Sequence, residues 1–171
     1  MKLARLSAWL SGAAIVVFSV AGALSEEAVN PAALGKALGN ANTTLQEGMT
    51  ASEHEGKAIA AKFELEGGKL QLSVYTVKAG KYSEVAVEVV TGAIASVEAI
   101  AAGDDFKAAK AQNASLAGVK TSLREAVDKA EAQSPGFRAV SVTPSLKEKH
   151  AMATVELLKG SQLKAVVVPL G

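Results

Sequence analysis

"GKAIAAKFELEGGKLQLSVYTV", residues 56–77, is the stretch that decides the fold. Apolar and polar residues alternate on both sides of Gly67-Gly68, which is the pattern of two strands joined by a tight hairpin turn. A third alternating run follows the turn "KAGK" (78–81) and continues to Val89. Strict alternation buries one face of each strand, so the three runs predict an antiparallel meander with a layer packed on one side.

A helix is predicted immediately before this meander. Thr44 and Glu47 have the spacing of a capping box, in which a hydroxyl and a carboxylate bind the free N–H groups of a first helical turn. Leu45 and Met49 share one face of that helix, and Gly56 ends it. We expect this helix to cover the apolar face of the meander.

The same strand pattern returns 81 residues later in the chain. Residues 138–170 align with residues 57–89 without a gap. A one-residue shift would turn every side chain to the other face of its strand, so a register kept over three strands favours a duplicated unit. The inward positions stay apolar in both copies, as in the pairs Ile59/Val140, Ala61/Val142, Leu72/Ala153 and Val89/Leu170.

A long helix is predicted ahead of the second copy, from about Asp105 to the stop signal Ser134-Pro135-Gly136. Apolar residues from Leu116 to Ala130 have helical spacing, and the alternative is a break or kink at Gly118. The sequence therefore predicts an α+β fold of two α-β-β-β repeats, each an antiparallel three-stranded meander covered by a helix. The repeats span residues 42–100 and 104–171, and residues 26–41 form a linker with a short helix.

The N-terminus has the pattern of a secretory signal peptide, residues 1–25. Lys2 and Arg5 precede an apolar run over 8–20, and small residues lead to Glu26. This run is shorter than the ~20 residues that span a bilayer, which favours a cleaved signal over the alternative of an uncleaved anchor. We expect a periplasmic or secreted protein that does not associate with the membrane after cleavage. The chain has no cysteine, so it cannot be a lipoprotein with a lipidated Cys.

The charge balance argues against a nucleic-acid partner. Without residues 1–25 the chain keeps 16 of its 18 basic and all 17 acidic side chains, a net charge of −1. Proteins that bind nucleic acid carry a basic patch that neutralises phosphates. We therefore expect no nucleic-acid partner.

The first copy resembles a PepSY domain, over about 60 residues. The shared elements are the entry "GKAI" (56–59), the hairpin "EGGK" (66–69), the strand signature Tyr75-x-Val77 and the third strand with its "TG" turn, Val87 to Ile94. The second copy is similar, but it lacks the glycine pair and the "TG" turn. The resemblance implies a cystatin-like α-β-β-β unit with a protein-binding or peptidase-regulating role outside the cytoplasm, and it implies no catalysis.

No catalytic, metal or cofactor site is predicted. His54 stands between Glu53 and Glu55, but adjacent helical residues point about 100° apart and do not converge on one ion. Asp104 and Asp105 fit a helix N-cap and its first turn, where negative charge is favourable. The chain has neither a nucleophile-elbow nor a phosphate-loop motif, so we expect no enzymatic activity.

The candidate interaction surface is the polar face of the first meander, with Lys62, Tyr75, Val77, Tyr82 and Glu88. Tyrosine suits recognition because its ring buries area while its hydroxyl stays polar. Two structural alternatives remain: the face packs against its equivalent in the second repeat, or the tyrosines are only half exposed. The final strand offers a second route, since an open edge can pair with a partner's strand.

The expected function is a non-enzymatic protein-binding module whose partner is an exported peptidase. The alternative is a structural or self-associating periplasmic protein whose sheet edges form a dimer.

Overall fold

The computed structural model describes residues 30–171, so the predicted signal peptide lies outside the described residues. It is an α+β structure with four helices and a seven-stranded antiparallel sheet. The helices are α1 (Pro31–Leu38), α2 (Leu45–Ala51), α3 (Gly103–Ser115) and α4 (Leu123–Ala132), and a 3₁₀ turn (Ser52–His54) follows α2. The strands are β1 (Lys57–Glu66), β2 (Lys69–Lys78), β3 (Lys81–Val87), β4 (Ile94–Ile100), β5 (Arg138–Lys147), β6 (His150–Lys159) and β7 (Gln162–Pro169).

The strands are ordered β4-β3-β2-β1-β5-β6-β7, with both predicted meanders in one sheet. The prediction of three strands per repeat is wrong for the first repeat, where β4 adds a fourth strand. β4 pairs along β3, from Tyr82↔Ile100 to Val87↔Ile94. Six of the seven residues of β4 are exposed, so the strand has no buried face. Its sequence therefore lacks the regular alternation by which the other strands were predicted.

The two meanders share their pairing register. Ala61 lies opposite Val74 in the first, and Val142 lies opposite Val155 in the second. Each first strand also carries a bulge at the same place, between Ala58 and Ala60 in β1 and 81 residues later in β5. β1 and β5 meet at the centre of the sheet through two residue pairs, Ala61↔Val142 and Lys62↔Ser141, which we call the central joint.

Helices lie on both faces of the sheet. α2 packs on the face that carries Leu72. α4 lies beside α2 on the same face, and the Gln46 amide of α2 donates to the carboxylates of Asp128 and Glu131 in α4. We call this the inner face, and its buried side chains form the main core. α3 packs against the opposite, outer face, where Phe106 meets Tyr82.

The long helix predicted from about Asp105 is wrong, because the chain forms α3 and α4 on opposite faces of the sheet. Gly118 lies between them in the left-handed region, at φ +72°. Ser122 then opens α4 with a capping box, in which its hydroxyl accepts from the Glu125 N–H at 3.2 Å. The N-cap of α3 is Ala102, so the predicted acidic cap residues lie inside its first turn.

Within residues 30–171, no helix is both long and apolar enough to cross a membrane.

Candidate binding surfaces

The structure brings four of the five predicted surface residues together on the outer face. Val77 pairs with Tyr82 across β2 and β3, and Tyr75 lies one pleat further along the same face. The ammonium group of Lys62 lies 5.8 Å from the centre of the Tyr75 ring. Glu88 lies apart, because it follows the end of β3 and its backbone forms the turn to β4.

Both tyrosines are buried, which corrects the expectation that they present an exposed recognition surface. Phe106 of α3 meets the Tyr82 ring edge to face, with 5.6 Å between ring centres, and the Asn113 amide donates to the Tyr82 hydroxyl at 3.4 Å. The cover is therefore α3 of the same chain, rather than the second meander. This cover was difficult to predict, because α3 has no regular apolar face and buries only Ala109 and Ser115 along its length.

A polar network lies on the outer face beside the tyrosines. Lys62 forms an ion pair with Glu64 at 2.6 Å, and the buried Ser73 hydroxyl donates to the Glu64 carboxylate at 2.8 Å. Burial raises the pKa of Tyr75, and the negative charge of Glu84 raises it further, so this phenol stays protonated. The network is satisfied within the chain.

Glu84 is the carboxyl group of this network whose ionisation is opposed by burial. In the strand pairing, Glu84 of β3 lies opposite Tyr75 of β2 and opposite Glu98 of β4. Burial raises the pKa of Glu84 most, and the like charges of Glu64 and Glu98 raise it further, whereas a hydrogen bond from Ser73 and the charge of Lys62 lower it. The folded protein therefore holds the proton of Glu84 more tightly than the unfolded chain does.

We expect Glu84→Gln to stabilise the protein at neutral pH and to flatten its pH profile. Because the folded-state pKa is raised, the stabilising contribution of protonated Glu84 is complete below the ordinary value of 4.5 and is lost as the pH rises through the folded-state pKa. Urea unfolding from acid to neutral pH measures the profile. Glu66→Gln, at an exposed position at the end of β1, is the control. If the free energies of unfolding of wild type and Glu84→Gln change with pH in parallel, the prediction is wrong.

The two meanders differ in how their last strands are covered. Tyr82 and Ala86 of β3 are 8% and 9% exposed, because β4 pairs beside them and α3 lies over Tyr82. Their counterparts in β7, Leu163 and Val167, are 44% and 54% exposed. Positions that are covered in the first meander are therefore open, and apolar, in the second.

The free edge of β7 has little of the usual protection, which is limited to Lys164 and to Pro169 at the end of the strand. We define the β7 edge as residues 162–168, which pair with β6 on one side without a bulge and with no strand of residues 30–171 on the other. The segment contains no proline or glycine, and its one charged group, Lys164, donates to the Ser134 hydroxyl at 2.9 Å. Natural edge strands are commonly blunted by charge, proline or bulges. β4, at the other end of the sheet, has Glu98 and a register shift against β3.

Among residues 30–171, no three His, Cys, Asp or Glu side chains are grouped so that they could hold a metal ion. Comparison of the chain with family models, curated proteins and solved structures finds no match. The resemblance to PepSY domains therefore stays a prediction from the sequence.

Proposed function

We propose that this chain is an exported, non-enzymatic protein-binding module built from two PepSY-like α-β-β-β repeats. The observation that carries the proposal is the β7 edge. It combines backbone groups that no strand of residues 30–171 pairs with and two exposed apolar side chains, Leu163 and Val167. An extended segment of a partner can pair with such an edge, so that backbone hydrogen bonds supply affinity and alternate side chains supply specificity.

The duplication is supported by the common register and bulge of the two meanders. The covering helices support it as well, because α2 and α4 both begin with a capping box and bury matching residues. Leu45 corresponds to Leu123 and Met49 to Val127, each 78 residues apart. The helices of the two units therefore correspond at an offset of 78 residues, and the strands at an offset of 81. The three additional residues lie between the helix and the first strand of the second unit, so both units keep a helix on the inner face.

The β7 edge fits a protein partner better than a small ligand. A strand is flat, and Leu163, Ala165 and Val167 project from the same face along an exposed edge. Small-molecule sites are concave and bury most of the ligand surface, which a flat edge cannot do. The PepSY resemblance adds the class of partner, an exported peptidase.

The test is binding and inhibition measured against the exported peptidases of the host. We expect at least one to bind the purified protein and to change its cleavage rate. The double variant Leu163→Lys/Val167→Lys should weaken that binding about tenfold or more, because lysines on an edge strand oppose strand addition. Leu146→Lys, at another exposed leucine near the β5–β6 turn, is the matched control and should bind as wild type does. Unchanged cleavage rates with all of the peptidases would overturn peptidase regulation.

A further inference from the structure

The β7 edge is complementary to itself. If two β7 strands pair antiparallel about a twofold axis at Ala165, Leu163 of one copy lies opposite Val167 of the other, and the reverse pair forms as well. These are the two exposed large apolar residues of β7, and both lie on the outer face. Cross-strand pairs of apolar side chains on one face stabilise a sheet. One register therefore covers both exposed residues at once.

Charge and backbone chemistry select that register over its neighbours. An axis at Lys164 would place two ammonium groups opposite each other, which destabilises a strand pair. An axis at Val166 would set Leu163 against Pro169, which has no N–H to donate. With the axis at Ala165, Lys164 lies opposite Val166 of the second copy, and the ammonium group keeps its hydrogen bond to Ser134.

The molecule already contains one joint of this kind. At the central joint, Ala61 of β1 pairs antiparallel with Val142 of β5, which is its own counterpart 81 residues later. Two equivalent strands can therefore meet edge to edge about equivalent residues with the twist of this sheet. A β7–β7 pair would extend the seven strands to a continuous sheet of fourteen in a closed dimer, whereas pairing β7 with β4 of another copy would not close.

We propose that the β7 edge of the isolated protein is occupied by β7 of a second copy, paired antiparallel about a twofold axis at Ala165. This inference rests on the proposed function, because it takes the same edge as the binding surface and names its resting partner. A peptidase that uses the edge must displace the second copy, so dimerisation would set the concentration of available binding sites.

Single cysteines introduced along β7 test the register directly, because the natural chain has none. Directly opposed residues of antiparallel strands have Cα atoms about 4.5–5.5 Å apart, within the range of a disulfide. We expect Ala165→Cys to form a covalent dimer under mild oxidation. Leu163→Cys and Val167→Cys are the matched controls, because their sulfurs would be separated by four residues of strand, about 13 Å, and should cross-link at most weakly. Similar cross-linking of all three variants would overturn the register.

Sedimentation of the cysteine-free protein tests the dimer itself. Wild type should sediment as a dimer at micromolar concentration, and Leu163→Lys/Val167→Lys should sediment as a monomer with unchanged circular dichroism. A wild-type monomer that still binds a peptidase through β7 would overturn this inference and leave the proposed function standing. A β7 dimer that binds no exported peptidase would support the inference and overturn peptidase regulation.

Discussion

Replacing Arg138 with methionine should lower the free energy of unfolding by about 3 kcal/mol. The guanidinium group donates to three backbone carbonyls, those of Leu38 and Ala41 at 3.2 and 3.3 Å and that of Thr43 at 2.6 Å. These carbonyls belong to the end of α1 and to the segment that joins it to α2. Arg138 therefore ties this segment to the start of β5.

The guanidinium group of Arg138 packs against an aromatic ring and is only partly hydrogen-bonded. The guanidinium lies 5.2 Å from the centre of the Phe63 ring, and its Nε is buried without a hydrogen-bond partner. Burial lowers the pKa of Arg138, although the nearby carboxylates of Glu131 and Glu47 partly offset the effect. Methionine keeps an aliphatic stem against Phe63 but supplies no donor. The carbonyls of Ala41 and Thr43 then lose the guanidinium, and the carbonyl of Leu38 keeps only its hydrogen bond from the Ala41 N–H. Lysine has one ammonium group in place of the fork and should restore only part of the stability.

Arg124→Met is the control for the Arg138 variant. Arg124 also bridges two elements, with a hydrogen bond of 2.7 Å to Thr50 and an ion pair of 3.0 Å with Glu53, but its side chain is exposed. Exposed ion pairs contribute less than about 1 kcal/mol. Urea unfolding followed by far-ultraviolet circular dichroism compares the two variants, and equal losses would show that burial of the Arg138 contacts contributes nothing.

Gly35→Ala should lower the free energy of unfolding by about 2 kcal/mol, although alanine favours helices. Within an exposed helix this exchange would stabilise by about 0.5–1 kcal/mol. A Cβ at position 35 would overlap the carbonyl oxygen of Gly160 and lie 3.1 Å from its carbonyl carbon, in the turn between β6 and β7. Backbone atoms of a tight turn cannot rotate away as a flexible side chain would. Displacing α1 from this turn also exposes Leu34 and Leu38, which are buried in the fold.

Lys36→Ala, at the next residue of α1, is exposed and makes the matched control, with an expected change within about 0.5 kcal/mol. Thermal or urea unfolding of the two alanine variants gives the comparison. A more stable Gly35→Ala protein would mean that α1 does not depend on its close approach to the β6–β7 turn.

Local patterns in the sequence were enough to predict the strands of both meanders and the start of α2. Alternation placed Leu72 and Val74 on one face, and the Thr44/Glu47 capping box is present in the structure. The break between α3 and α4 carried a comparable signal, the Ser122/Glu125 spacing after Gly118. The apolar spacing from Leu116 to Ala130 concealed this break, so a single long helix was predicted, with a break at Gly118 only as the alternative.

The candidate site was harder to predict, because burial of the tyrosines depends on contacts between distant parts of the chain. Tyr82 is covered by Phe106 and Asn113, and nothing in the composition of α3 marks a face that would pack there. The exposure of the β7 side chains also depends on elements outside the strand. Leu163 and Tyr82 occupy equivalent positions in the two meanders, and only the neighbouring elements decide which of the two is exposed. A pattern within one strand cannot contain that information.

The central joint also bears on the order in which the molecule assembles. β1 has nine paired positions with β2 and β5 has nine with β6, whereas β1 and β5 share two. Hairpins connect residues close in sequence and form in about 1–10 μs, while the joint must bring together positions 81 residues apart against the entropy of closing that loop. We therefore expect each meander to form before the sheet is continuous, with closure of the central joint as the late step. During synthesis the first meander emerges before β5. Until β5 has been made, β1 is an unpaired edge strand, and it can pair with a strand of another molecule.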